Sequence, residues 1–173
     1  MTQTEEQTIP TTVSYALRCW LVLAIFKALG LILQGVAGTY PQSAAREALG
    51  EAKVPEGIDP GTYVTLAGYM GLVFNVAFGL LFAGLILFFA YRVKQGKKQA
   101  FSANFTLQLF SGILIIDAVM GVSVAGALGV PTWLTLVIGW AHIVVIVAAA
   151  TGIYFSSRQE TRSYVEKNRV KED

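Results

Sequence analysis

Residues 63–91 read YVTLAGYMGLVFNVAFGLLFAGLILFFAY, 29 positions without one charged side chain. As a helix rising 1.5 Å per residue, that run covers ~43 Å, more than the ~30 Å hydrocarbon core of a bilayer. The polar–apolar alternation of an amphipathic strand is absent, and in lipid every backbone N–H and C=O must be satisfied within the segment or a closed barrel. The run therefore predicts a transmembrane helix, and the rest of the chain reads outward from it.

Three more apolar runs of spanning length follow the same logic, at 14–38, 105–129 and 132–155. Their ends are punctuated by Pro41 after the first, Pro60-Gly61 before the second, and Gly129-Val130-Pro131 between the third and fourth. The expected fold is an all-α, four-transmembrane-helix bundle occupying residues 13–157. A polar, disordered tail covers 1–12, an outer loop 39–62, and a charged tail 158–173. Composition agrees: 54% of the 173 residues are hydrophobic and 14% charged, against the ~25% charge of soluble domains. The first run differs from a cleavable signal. Glu5 and Glu6 precede it in place of a basic leader, Lys27 interrupts it, and it is too long, although Val36-Ala37-Gly38 resembles a cleavage site.

Lysine and arginine in the short loops set the direction. Arg92, Lys94, Lys97 and Lys98 crowd the 92–104 loop without an acid, and Arg158, Arg162, Lys167, Arg169 and Lys171 mark the C-terminal tail. The 39–62 loop has Arg46 and Lys53 against Glu47, Glu51, Glu56 and Asp59. Both termini are therefore expected in the cytoplasm. Tyr15, Trp20, Tyr91 and Tyr154 would mark the inner interface, and Tyr40, Tyr63 and Trp133 the outer one. A short outer-loop helix is expected from Gln42 to Gly50, with Ser43 as N-cap. Opposite charges at helical spacing, such as Arg162 and Glu166, predict that the C-terminal tail extends the last helix into the cytoplasm.

Each span carries one strongly polar residue: Lys27, Asn75, Asp117 and His142. Counted from the outer helix ends they lie 11, 12, 12 and 10 residues down, ~15–18 Å at helical rise and so near the midplane. A Lys or Asp at a helix centre costs ~2.5–3.5 kcal/mol on insertion scales. Lys27 and Asp117 should therefore form an ion pair or share one proton as a neutral pair, with Asn75 and His142 completing the hydrogen bonds. Small residues near them, Gly30, Gly71, Gly79, Gly121 and Gly139, are expected at helix contacts. Gln34 shares a face with Lys27, and Thr135 stands outward of His142. Gln108 lies on the side of its helix opposite Asp117 and is expected to meet a partner chain or the interface.

The chain has one cysteine, Cys19, and one histidine. That excludes a disulfide framework, a CxxC redox pair, a Cys/His zinc site and bis-histidine haem ligation within one chain. Cys19 reads as small apolar filler, with lipidation the alternative. Motifs of the GxSxG, HExxH and P-loop types are absent, no residue motif names a family, and the basic segments lack a nucleic-acid fold. No cofactor, metal, catalysis or nucleic-acid partner is expected. The leading expectation is a non-catalytic accessory or structural subunit of a larger complex in a bacterial plasma membrane, partnered by lipid and by other subunits or copies of itself. The alternative is a small proton- or ion-coupled transporter using Lys27, Asp117 and His142. A membrane enzyme acting on lipid or quinone ranks last, because no reactive constellation stands near a headgroup.

Overall fold

The structure, a computed structural model, describes residues 9–40, 59–96, 99–125 and 130–170. Five helices occupy them: α1 (Thr11–Gly38), α2 (Pro60–Gln95), α3 (Ala100–Ala125), α4 (Thr132–Ser156) and α5 (Gln159–Val170). The first four are long and apolar enough to cross a membrane. The expected outer-loop helix, the tail before residue 9, Lys97, Lys98 and the 126–129 end of the third span lie outside the described residues.

Local chemistry sets the helix ends. Asp59 accepts a hydrogen bond from the Thr62 amide at 3.0 Å, and Pro60 takes the first turn, where its missing N–H is not needed. At the other end of α2, Gly96 stops the helix with φ 61°, a left-handed conformation that favours glycine. The 36 residues of α2 measure ~54 Å, so the helix tilts or projects beyond the hydrocarbon core.

The helices pack as a four-sided bundle in chain order, with α1–α2, α1–α4 and α3–α4 as extensive seams and α2–α3 the loosest. Lys27 and Asp117 therefore stand on helices that face across the diagonal. The main core, with Trp20, Leu23, Ile86, Leu107, Leu114 and Val145 among its buried members, fills the half nearer the start of α1. Arg92, Lys94, Arg158 and Arg162 mark that end, here the basic end. The side chains presented to lipid are large and apolar, as on α2, where Leu66, Val73 and Leu80 are more than half exposed.

The chain after Ser156 does not simply run on as an extension of the last helix. Ser157 and Arg158 break it, and α5 packs against α1, α3 and α4. The reason is its apolar stripe: Thr161, Tyr164 and Val165 are buried. Thr161 hydroxyl bonds Thr12 and the Phe155 carbonyl, and the Tyr164 hydroxyl donates to the Lys94 carbonyl at 3.1 Å. Burial pushes the Tyr164 phenol up from its ordinary value.

Candidate functional site

Lys27 reaches across the bundle to place its Nζ 2.5 Å from Asp117 Oδ2. A long side chain is required, because α1 and α3 do not share a seam. The lysine side chain is 9% exposed and the aspartate 53%, so the pair does not sit sealed in a dry core. Asp117 opens into a cleft of about 370 Å³ in the loose α2–α3 seam, lined by Phe74, Phe78, Phe82, Phe110, Ile113 and Asn75 among others. Phe74 and Ile113 are 58% and 62% exposed; at this depth they and the cleft face the bilayer. Towards the basic end, edge-on Phe82 and tilted Phe89 meet Phe110, each at 6.5 Å between centroids, and close the seam. Their bulk separates α2 from α3 and leaves the space above them open.

Asn75 and His142 do not complete the bonding of the pair. Asn75 lines the cleft, but its Nδ2 donates to the Gly71 carbonyl 2.9 Å away on its own helix. Its Oδ1 has no hydrogen-bond partner among the described residues and can accept one. His142 is buried, with Nδ1 2.8 Å from the Ile138 carbonyl and Nε2 3.1 Å from Gln34 Nε2. A carbonyl only accepts, so Nδ1 carries the proton and Nε2 accepts from the Gln34 amide. An imidazolium would offer two N–H groups and need the Gln34 amide turned over. A second cavity, about 10 Å³, lies between Lys27, Gly30 and His142, the size of one water site. Lys27 thus lines both cavities. Among the described residues Asp117 is its one hydrogen-bond partner, although an ammonium has three donors.

The glycines divide. A Cβ on Gly121 would lie 2.5 Å from His142 Nε2, and one on Gly79 3.3 Å from the Ala28 carbonyl oxygen, so both permit close contact. Gly30, Gly71 and Gly139 have nothing within 4 Å of a Cβ position and are not contact glycines, Gly30 being buried beside the small cavity. The close approaches that the sequence reading missed are Gly35 on Leu72, Gly68 on the Gly38 carbonyl and Gly152 on Trp20.

Gln108 meets its own chain rather than a partner, donating to Ser156 Oγ at 3.0 Å on α4. Thr135 is half-buried and makes no side-chain hydrogen bond among the described residues. Arg92 lies over the Phe88 ring at 5.0 Å, and Lys94 is exposed. Asn104 and Ser111 escaped the sequence reading, although with Gln108 they make an i, i+4, i+7 polar stripe along α3. Both are buried, and Asn104 Oδ1, Ser111 Oγ and Trp20 Nε1 lack hydrogen-bond partners among the described residues. No group of three His, Cys, Asp or Glu side chains comes together there as metal ligands.

Comparison with family models, with curated proteins and with solved structures finds no match.

Proposed function

We propose that this chain is a small proton- or ion-coupled carrier of the membrane, non-catalytic, working through the Lys27–Asp117 pair. The half-exposure of Asp117 in the α2–α3 cleft is the observation that carries this reading. An ion pair that merely fixed helix register has no need of a carboxylate left open to lipid. A carboxylate facing the bilayer interior is costly, and such groups mark pathways and binding sites. One proton moving from Nζ to Oδ2 converts ammonium and carboxylate into amine and carboxylic acid, with zero net charge in both states. The pair can therefore change its hydrogen bonding toward the cleft without placing a net charge in lipid. The water-sized cavity beside Lys27 also borders His142, which can take up a proton at Nε2 when the Gln34 amide turns over.

Reconstituted liposomes with a trapped pH dye test this. Wild type should dissipate an imposed pH gradient, and Asp117→Asn and Lys27→Met should not. If wild type moves no protons, or folded Asp117→Asn moves them equally well, the carrier reading fails.

An accessory-subunit role is the second reading, and α2 favours it. Its most apolar window is 11% buried, against 33–39% for the other spans, leaving a face that another helix can cover. Stable copurification of a companion from mild detergent supports that role. For either reading, the basic end faces the cytoplasm of a bacterial cell, supported by Arg92, Lys94, Arg158 and Arg162 at that end.

A further inference from the structure

We infer that the α2–α3 cleft binds a neutral, lipid-dissolved amphiphile through a hydroxyl or carbonyl head seated on Lys27 and Asp117. Four observations meet there. The cleft's volume, about 370 Å³, falls in the range of small-molecule sites, which combine apolar and aromatic walls with a few convergent polar groups. Four phenylalanines, Phe74, Phe78, Phe82 and Phe110, supply the walls.

The polar floor is unsaturated. Among the described residues Lys27 uses one of three ammonium donors, Asp117 bonds through Oδ2 alone, and Asn75 gives one amide N–H to Gly71 and keeps Oδ1. A hydroxyl can accept from Lys27 and donate to Asp117 at once. Charge selects the class of ligand: lysine and aspartate already cancel, so a fatty-acid anion or an alkylammonium would leave one net charge in a low-dielectric site. The route is lateral. Phe78 and Ile113, 50% and 62% exposed, stand at the lipid face, so an apolar tail can stay in the bilayer while the head enters. This deepens the carrier reading, on which the ligand's role as cargo rests; its binding does not depend on transport.

Photolabelling of the purified chain in nanodiscs tests the site. The probe is a diazirine-bearing long-chain alcohol, compared with the matching fatty acid and alkyltrimethylammonium. Peptide mapping should place saturable labelling of the alcohol on residues 74–82 and 110–117, competed by unlabelled alcohol and at least about tenfold above the two charged probes. Asp117→Asn should lower it about tenfold. Phe78→Trp, which fills the cleft without touching the ion pair, should abolish it, so the result does not depend on Asp117→Asn folding. Labelling that never saturates, that ignores head charge, or that survives Phe78→Trp overturns the inference, as does a stoichiometric companion protein shielding both segments in native membranes. Saturable binding without proton movement leaves the site standing and removes the carrier reading.

Discussion

Replacing Gly121 with alanine isolates the packing of α3 on α4. The new Cβ would sit 2.5 Å from His142 Nε2, 2.9 Å from Cδ2 and 3.3 Å from Cε1. Comfortable carbon contacts begin near ~3.5 Å, so ring and helix must separate by roughly 1 Å. The ring is not free to withdraw. Nδ1 is held on the Ile138 carbonyl at 2.8 Å and Nε2 on Gln34 at 3.1 Å, and a shift of that size breaks the longer bond. Overpacking costs about 1–3 kcal/mol, and the lost hydrogen bond about 1 kcal/mol. Alanine's better helix propensity returns about 1 kcal/mol. The net expectation is destabilisation by roughly 1–3 kcal/mol. Gly139→Ala, on α4, is the internal control. Nothing lies within 4 Å of its Cβ position, so it should be neutral or stabilising by up to about 1 kcal/mol. Denaturant unfolding in mixed micelles, followed by far-ultraviolet circular dichroism, reads both. Nitrogen-15 spectra of His142 should show the Nε2 resonance moving in Gly121→Ala alone. If Gly121→Ala matches wild type in both stability and spectrum, the packing argument is wrong.

The ion pair predicts a marked departure from additivity. Lys27→Met strands the Asp117 carboxylate and should cost about 2–3 kcal/mol, below the full buried-pair value because Asp117 is half exposed, while Lys27→Met with Asp117→Leu should cost less than Lys27→Met alone; a double mutant equal to the sum of the singles argues against the pair. Gln34→Leu leaves buried Nε2 of His142 without a donor and should destabilise by about 1–2 kcal/mol in the same unfolding assay. For α5, the raised Tyr164 phenol sets the sign of a pH effect: the docked state favours the neutral form, so docking is intact below the ordinary value of 10.0 and weakens as pH rises through the raised one. The tyrosinate difference spectrum between wild type and Tyr164→Phe should show a midpoint above 10.0, and an ordinary midpoint would count against the buried placement.

Much of this architecture is legible because lipid tolerates so few solutions. Four long apolar runs had to be helices, and the structure contains four such helices. Lys27 and Asp117 are the two residues of opposite charge deep in the spans, so cancellation of charge could be read from depth alone. Other details depend on rotation and helix separation, which a residue count does not contain. Asn75 illustrates the difference: any asparagine in a helix can bond the carbonyl four residues back, so its polarity does not identify a partner on another helix. Gly71 and Gly139 look like Gly79 and Gly121 in the sequence, yet a missing side chain matters only where another element approaches. Charges recurring at helical spacing make the last helix look continuous in the sequence, and they mask the stripe of Thr161, Tyr164 and Val165 that turns α5 against the bundle.

The cleft follows from side-chain volumes. Phe82 and Phe89, about two turns apart on α2, both meet Phe110 across the α2–α3 seam, and rings of that size separate the helices. About two turns further along α3, Asp117 is drawn by Lys27 from across the diagonal into the space those rings leave. Smaller residues at 82, 89 and 110 would let the seam close over the carboxylate and convert an accessible pair into a sealed one. The same aromatic spacer that weakens the α2–α3 seam therefore keeps the charged centre reachable from the bilayer.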